Sequence, residues 1–214
     1  MEGIILLLFQ LAMLLMSVVI HEFSHGWMAY RLGDPTAKHY GRLTLNPLAH
    51  LDFWGSFIVP LMIFVLSGGR AIFGWAKPVP FNPYNLRPQR YGEALVGVAG
   101  PAANLTVALV FGLALRFMPE SALVLTGLFQ IFSLIVILNL LLAIFNLVPI
   151  PPLDGSRILF TLLPYSLGEV RIFLERYGLF LLLLFIFFAF QWIIPLVFWL
   201  YQLLVGRGWW FPAI

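Results

Sequence analysis

His21, Glu22 and His25 lie in the run Ile20-His21-Glu22-Phe23-Ser24-His25-Gly26. A helix turns about 100° per residue, so two imidazoles four apart leave one face and can grip one metal ion. Glu22 stands beside them, where it could reach a water on that metal. The spacing is that of a zinc metalloprotease helix. On a soluble helix such a pair is often only a surface feature. Here Ile4 to Ile20 is almost wholly apolar, and an ionisable group at membrane depth costs at least a few kcal/mol unless it has a partner or a task.

A catalytic zinc site takes three protein ligands and leaves one position for water. The other two histidines are His39 and His50, both near the first helix, and there is no cysteine. Among the acids Asp154 is the best candidate. It follows the stretch Pro149-Ile150-Pro151-Pro152-Leu153, which cannot continue a helix and can aim a side chain back inward. Asp154-Gly155 also reads as an ordinary turn pair.

These residues need a scaffold in the membrane. The chain has 214 residues, 62% hydrophobic and 10% charged, with a mean hydropathy of +0.98. Soluble domains rarely approach such values. The net charge of +3 therefore reports membrane orientation and does not imply nucleic-acid binding. The expected fold is an all-α polytopic membrane protein, one integral-membrane domain over 1–214. Its core covers 1–156, and a C-terminal helical segment covers 170–205. About five to six membrane helices are expected, one of them short and re-entrant or interfacial, with a small β element after the first helix.

The first span runs from about Gly3 to Tyr30 and stops near Gly33-Asp34-Pro35. It reads as retained, because it lacks the basic start and small-x-small cleavage site of a signal peptide. Ala37 to Asn46 alternates weakly and predicts a short strand; Arg70 to Trp75 could be a second. Phe53 to Leu66, interrupted by Pro60, is short for a span. Glu93 to Phe117 carries Gly97, Gly100, Pro101, Ala102 and Ala103, small residues that admit a close helix neighbour. Leu123 to Val148 is the next span. Val170 to Val205 is one tilted helix or two broken near Gln191 to Pro195.

Three motifs now stand in order. His21-Glu22-Phe23-Ser24-His25, Gly100-Pro101-Ala102-Ala103-Asn104 and Asn146 through Gly155 resemble the signature motifs of the site-2 protease family, which are intramembrane zinc metalloproteases. Phe73 through Pro80 is similar to a loop of its short prokaryotic branch, without PDZ or CBS modules. The resemblance implies one Zn²⁺ per chain, held by His21, His25 and Asp154. It also implies Glu22 as general base, Asn146 near the oxyanion, and a transmembrane-protein substrate met within the bilayer. Asn146 has a competing reading as an interhelical hydrogen bonder, and Asn104 reads as a packing residue whose amide fixes a backbone group. Asn139 has no assigned role. His50 could pair with Asp52. The strand candidates suggest a sheet edge on which an unwound substrate could pair.

Charge placement bears on the same picture. If Phe53–Leu66 is re-entrant, then Arg31, Lys38, Arg42, Arg70, Lys77, Arg87 and Arg90 share a face with Arg157, Arg171 and Arg176, and the opposite loop keeps Arg116. The positive-inside bias favours that arrangement, with the metal toward the cytoplasmic side of a prokaryotic plasma membrane. A metal-ion transporter, a non-catalytic metal-binding scaffold and non-haem iron chemistry are the alternatives. The absence of visible repeats disfavours the transporter, and Glu22 beside the pair favours zinc hydrolysis.

Overall fold

The computed structural model describes residues 2–66, 68, 77–118 and 126–206. Among them the regular elements are helices: α1 (Glu2–Arg31), α2 (Thr36–His39), α3 (Val59–Leu66), α4 (Gln89–Phe117), α5 (Thr126–Asn146), α6 (Asp154–Leu162), α7 (Gly168–Leu184) and α8 (Ile193–Val205). Four tracts are long and apolar enough to cross a membrane: Leu8–Arg31, Gln89–Phe117, Gly127–Asn146 and Gly168–Val205. This is a multi-pass membrane protein. Among the described residues four tracts meet that length and composition, and the five to six membrane helices expected with the short segment included are not confirmed. α3 continues directly from a π turn at Trp54–Ile58, and together they rise about 20 Å, short of a bilayer core.

The tract 168–205 is neither one regular helix nor two separated ones. A π turn (Phe185–Ala189) and a 3₁₀ turn (Phe190–Trp192) join α7 to α8. Pro195 then falls in the first turn of α8, where its missing N–H breaks no intrahelical bond.

The end of α1 explains how the bundle closes. Gly33 adopts φ +102°, a left-handed conformation suited to glycine that stops the helix. Leu32 O then accepts the N–H of Arg87 at 2.8 Å. Ala29, Leu86 and Val96 pack beside it as one buried cluster. The chain therefore leaves α1 and enters α4 at the same end of the bundle, as a re-entrant segment between them requires.

The strand expected over Ala37 to Asn46 does not form. Asp34 accepts the N–H of Thr36 at 3.2 Å and its hydroxyl at 2.6 Å, and this favours the short helix α2 (Thr36–His39) with Ala37 buried inside it. Thr44 O is taken by the His50 ring at 2.8 Å, and Asn46 caps a 3₁₀ turn at Pro47–Ala49. These side chains satisfy the backbone locally, which leaves a short alternation no ladder partner. Arg70 to Trp75 lies outside the described residues.

The main core joins three spans: Ala108 and Leu115 of α4, Val136 and Leu140 of α5, and Ile193, Val197, Tyr201 and Val205 of α8. Within it Ser133 and Tyr201 share a hydroxyl hydrogen bond of 2.8 Å. In lipid such interfaces rest on close packing and polar contacts more than on the hydrophobic effect. α1 packs against α4 and α5, and α7 turns Ile172, Leu179 and Phe180 outward.

Candidate metal centre

Ser17, His21 and His25 repeat every four residues on α1, so they form one stripe. Val96, Gly100 and Asn104 form the matching stripe on α4. The two stripes meet at Gly100. A Cβ placed there would lie 2.5 Å from His25 Nε2 and 2.7 Å from His21 Cε1, so both imidazoles come up against bare backbone. The close approach expected of the small residues of this span is made here, and its neighbour is the histidine pair itself.

Asp154 arrives as the first residue of α6, after the proline turn. Its Oδ2 is 3.0 Å from His21 Nε2 and 3.0 Å from His25 Nε2. All three residues are 5–6% exposed, and their ligand atoms lie within 4.8 Å of one another. A tetrahedron with bonds of ~2.0–2.1 Å has edges of ~3.3 Å, close to the two Nε2–Oδ2 distances.

The outer nitrogens support the same fit. His25 Nδ1 donates to Val96 O at 2.7 Å, and a carbonyl can only accept. His21 Nδ1 donates to Asn104 Oδ1 at 2.6 Å. With the Nδ1 protons so placed, a neutral ring turns its Nε2 lone pair toward Asp154. A cation among two such lone pairs and a buried carboxylate would satisfy all three, and this donor set suits zinc.

The other oxygen of Asp154, Oδ1, lies 3.5 Å from Arg157 Nη1, and that guanidinium stacks on Phe81 at 4.8 Å. Burial opposes ionisation of Asp154. With both rings, His21 and His25, doubly protonated and no metal between them, their hydrogen bonds and charges outweigh it and hold the carboxyl well below the usual carboxylate range; a bound cation would take over that role from neutral rings.

Glu22 is half-buried beside the pair. Its Oε2 accepts the backbone N–H of Val79 at 2.8 Å, from the loop that the sequence singled out as Phe73 through Pro80. Asn146 ends α5, and its amide donates to Leu142 O one turn back at 2.9 Å. His50 is buried away from the cluster on the Thr44 carbonyl.

Three contacts had no counterpart in the sequence reading: the Val96 carbonyl, the Asn104 amide on His21, and Arg157 beside Asp154. For Asn104 a signal existed. It lies one turn beyond Gly100, on the face that meets the imidazoles.

The sequence model of peptidase family M50 matches residues 9–121 and 116–186. The chain belongs to peptidase family M50. Several relatives bear the name "Putative zinc metalloprotease". YwhC of Bacillus subtilis (strain 168) is 43% identical over 170 residues, covering 77% of this chain and 74% of its own. Rip2 of Mycobacterium tuberculosis (strain H37Rv) is 33% identical over 196 residues, covering 88% of this chain and 71% of its own. The Rip2 of Mycolicibacterium smegmatis is 36% identical, and the match spans 52% of its length. No solved structure gives a significant match. This M50 peptidase is a zinc metalloprotease, and the group His21, His25 and Asp154 could hold its metal.

Proposed function

We propose that this M50 peptidase cleaves a peptide bond in or near a transmembrane segment of a membrane-protein substrate. In this reading His21, His25 and Asp154 hold the zinc, Glu22 is the general base, and Asn146 donates to the oxyanion. The observation that carries it is the meeting of three buried donors from α1 and α6 with both outer imidazole nitrogens already engaged.

Bound zinc supplies Lewis acidity, lowering the pKa of water toward ~7 and polarising a carbonyl. The chain does the rest. His21 and His25 stay neutral, each donating its Nδ1 proton outward. Asp154 stays ionised with Arg157 beside its free oxygen. Glu22 takes the proton of the attacking water and returns it to the leaving amine. The Asn146 amide exchanges Leu142 O for the charge that develops on the scissile carbonyl oxygen. The burial of the cluster limits water around the reacting groups.

The reading extends to orientation. The arginine-rich loops and the metal face the cytoplasm of a prokaryotic cell, across its plasma membrane.

The deciding experiment uses a single-span substrate in vesicles with wild type and Glu22→Gln, together with metal analysis of both. Zinc should remain in Glu22→Gln while cleavage disappears. Near-normal cleavage by Glu22→Gln would remove it as the base. A reporter fused after Gly69 should read as cytoplasmic, and an extracytoplasmic reading would reverse the orientation.

A further inference from the structure

We propose that Asn139 and Ser17 are positioning residues for His21, acting through Asn104 to dictate which ring nitrogen faces the metal; the inference rests on His21 being a zinc ligand.

Ser17 is 3% exposed, and Asn104 and Asn139 are 0%, all within membrane-crossing tracts. They come from three helices and form one connected path. Asn139 Nδ2 donates to Ile135 O at 2.8 Å and to Ser17 Oγ at 2.9 Å. Asn104 Nδ2 donates to Asn139 Oδ1 at 2.8 Å, with a longer contact of 3.4 Å to Ser17 O. His21 Nδ1 meets Asn104 Oδ1 at 2.6 Å.

The path has a direction, and backbone carbonyls set it. Ser17 Oγ gives its proton to Met13 O at 2.9 Å, so the hydroxyl must accept from Asn139. Ile135 O can only accept, so it holds the Nδ2 end of Asn139 as well. The Oδ1 of Asn139 is thereby turned to Asn104, which must answer with its own Nδ2. Asn104 Oδ1 is left facing His21, and the ring must carry its proton on Nδ1. Reversing either amide would set donor against donor or acceptor against acceptor in a dry site, a heavy penalty. His21 Nε2 is left as a lone pair aimed at the metal position.

Interhelical adhesion alone would also employ three buried polar residues. The two roles separate experimentally. Adhesion changes only stability, whereas positioning changes the ring proton and the affinity for zinc. Full-length Asn139→Ala in detergent should bind zinc about tenfold more weakly by chelator competition, within the range of outer ligand partners. With ¹⁵N-labelled histidine, the His21 Nδ1–H resonance should shift or exchange faster. Asn104→Asp in the Asn139→Ala background should restore affinity, because a carboxylate presents an acceptor whichever way it turns.

Wild-type zinc affinity and an unmoved His21 Nδ1–H signal in Asn139→Ala, with only the melting temperature lowered, would overturn the proposal. If Asn139→Ala does not fold, Ser17→Ala is judged by the same two readouts, with a smaller loss of two- to fivefold expected because Ile135 O still anchors Asn139 (about 1 kcal/mol for one hydrogen bond). His21→Ala tests the underlying assignment separately. If it binds zinc as wild type does, the ligand reading fails whatever Asn139 does.

Discussion

Val79 donates its backbone N–H to Glu22 Oε2 at 2.8 Å, tying a proline-flanked loop to the carboxylate that follows the first histidine. The same loop presses on α1 a turn further along, where a Cβ on Gly26 would lie 2.8 Å from Val79 Cγ1. A carboxylate held by a fixed donor enters the reaction with one orientation. Glu22→Gln should lower kcat by about 10²–10⁴, the usual contribution of a general base. Val79→Pro removes the N–H and leaves Glu22 in place. It should lower kcat on the order of tenfold, as expected for a hydrogen bond to a charged group, while Val79→Ala, which keeps the donor, stays near wild type. Steady-state cleavage of a single-span substrate by the three variants checks the order.

Gly100 leaves no room for a side chain at the imidazoles. Gly100→Ala should weaken zinc binding by about 10- to 100-fold, comparable to loss of an outer ligand partner, with little change in helix content. Chelator competition and circular dichroism on the same sample measure both.

Asp154→Asn keeps the shape of the side chain and removes its charge. Zinc affinity should fall by at least about 100-fold, beyond the usual effect of outer partners. For the wild type, a strong chelator should abolish cleavage and added Zn²⁺ should restore it. Unchanged affinity in Asp154→Asn would remove the aspartate from the ligand set.

Asp34 predicts an acid limit to stability. It is fully buried and accepts from Thr36, from Asn82 N at 2.7 Å and from Asn85 Nδ2 at 2.9 Å. Burial opposes its ionisation, but these donors outweigh it and lower its pKa from the ordinary 3.8. A depressed carboxyl stabilises the fold above its unfolded pKa, and that contribution is lost as pH falls through the folded value. This term should therefore be constant at neutral pH and decline below about pH 4. Asn at position 34 turns a donor toward donors. Asp34→Asn should cost about 1–3 kcal/mol at pH 7 and flatten the acid decline, read by thermal melts in detergent across pH.

The sequence exposed the histidine pair because helical periodicity converts a spacing of four into a shared face. It exposed Asp154 because the prolines before it end a span. Asn104 was legible as a polar residue one turn beyond Gly100, but its partner was not. Nothing local distinguishes an amide that faces a carbonyl from one that faces an imidazole, since the partner is 83 positions away. Asn139 was silent for the same reason. The strand over Ala37 to Asn46 failed because alternation describes what a strand would bury, whereas the side chains of Asp34, His50 and Asn46 had already claimed the local backbone. The last tract reads in sequence as one tilted helix or two broken near Gln191 to Pro195, and the structure distorts it over Phe185–Ala189 and Phe190–Trp192 without separating it, a local change of helix type that apolar composition does not encode.

Asp154 lies 133 residues beyond His21. A nascent chain therefore carries both imidazoles into the bilayer early in translation, yet the third donor of the proposed centre leaves the ribosome only after α5 has been made. Translation arrested between α1 and Asp154 yields a membrane-inserted fragment with two of the three proposed donors. The capacity to cut would be conferred late, on chains whose α1, α4 and α5 have already been made.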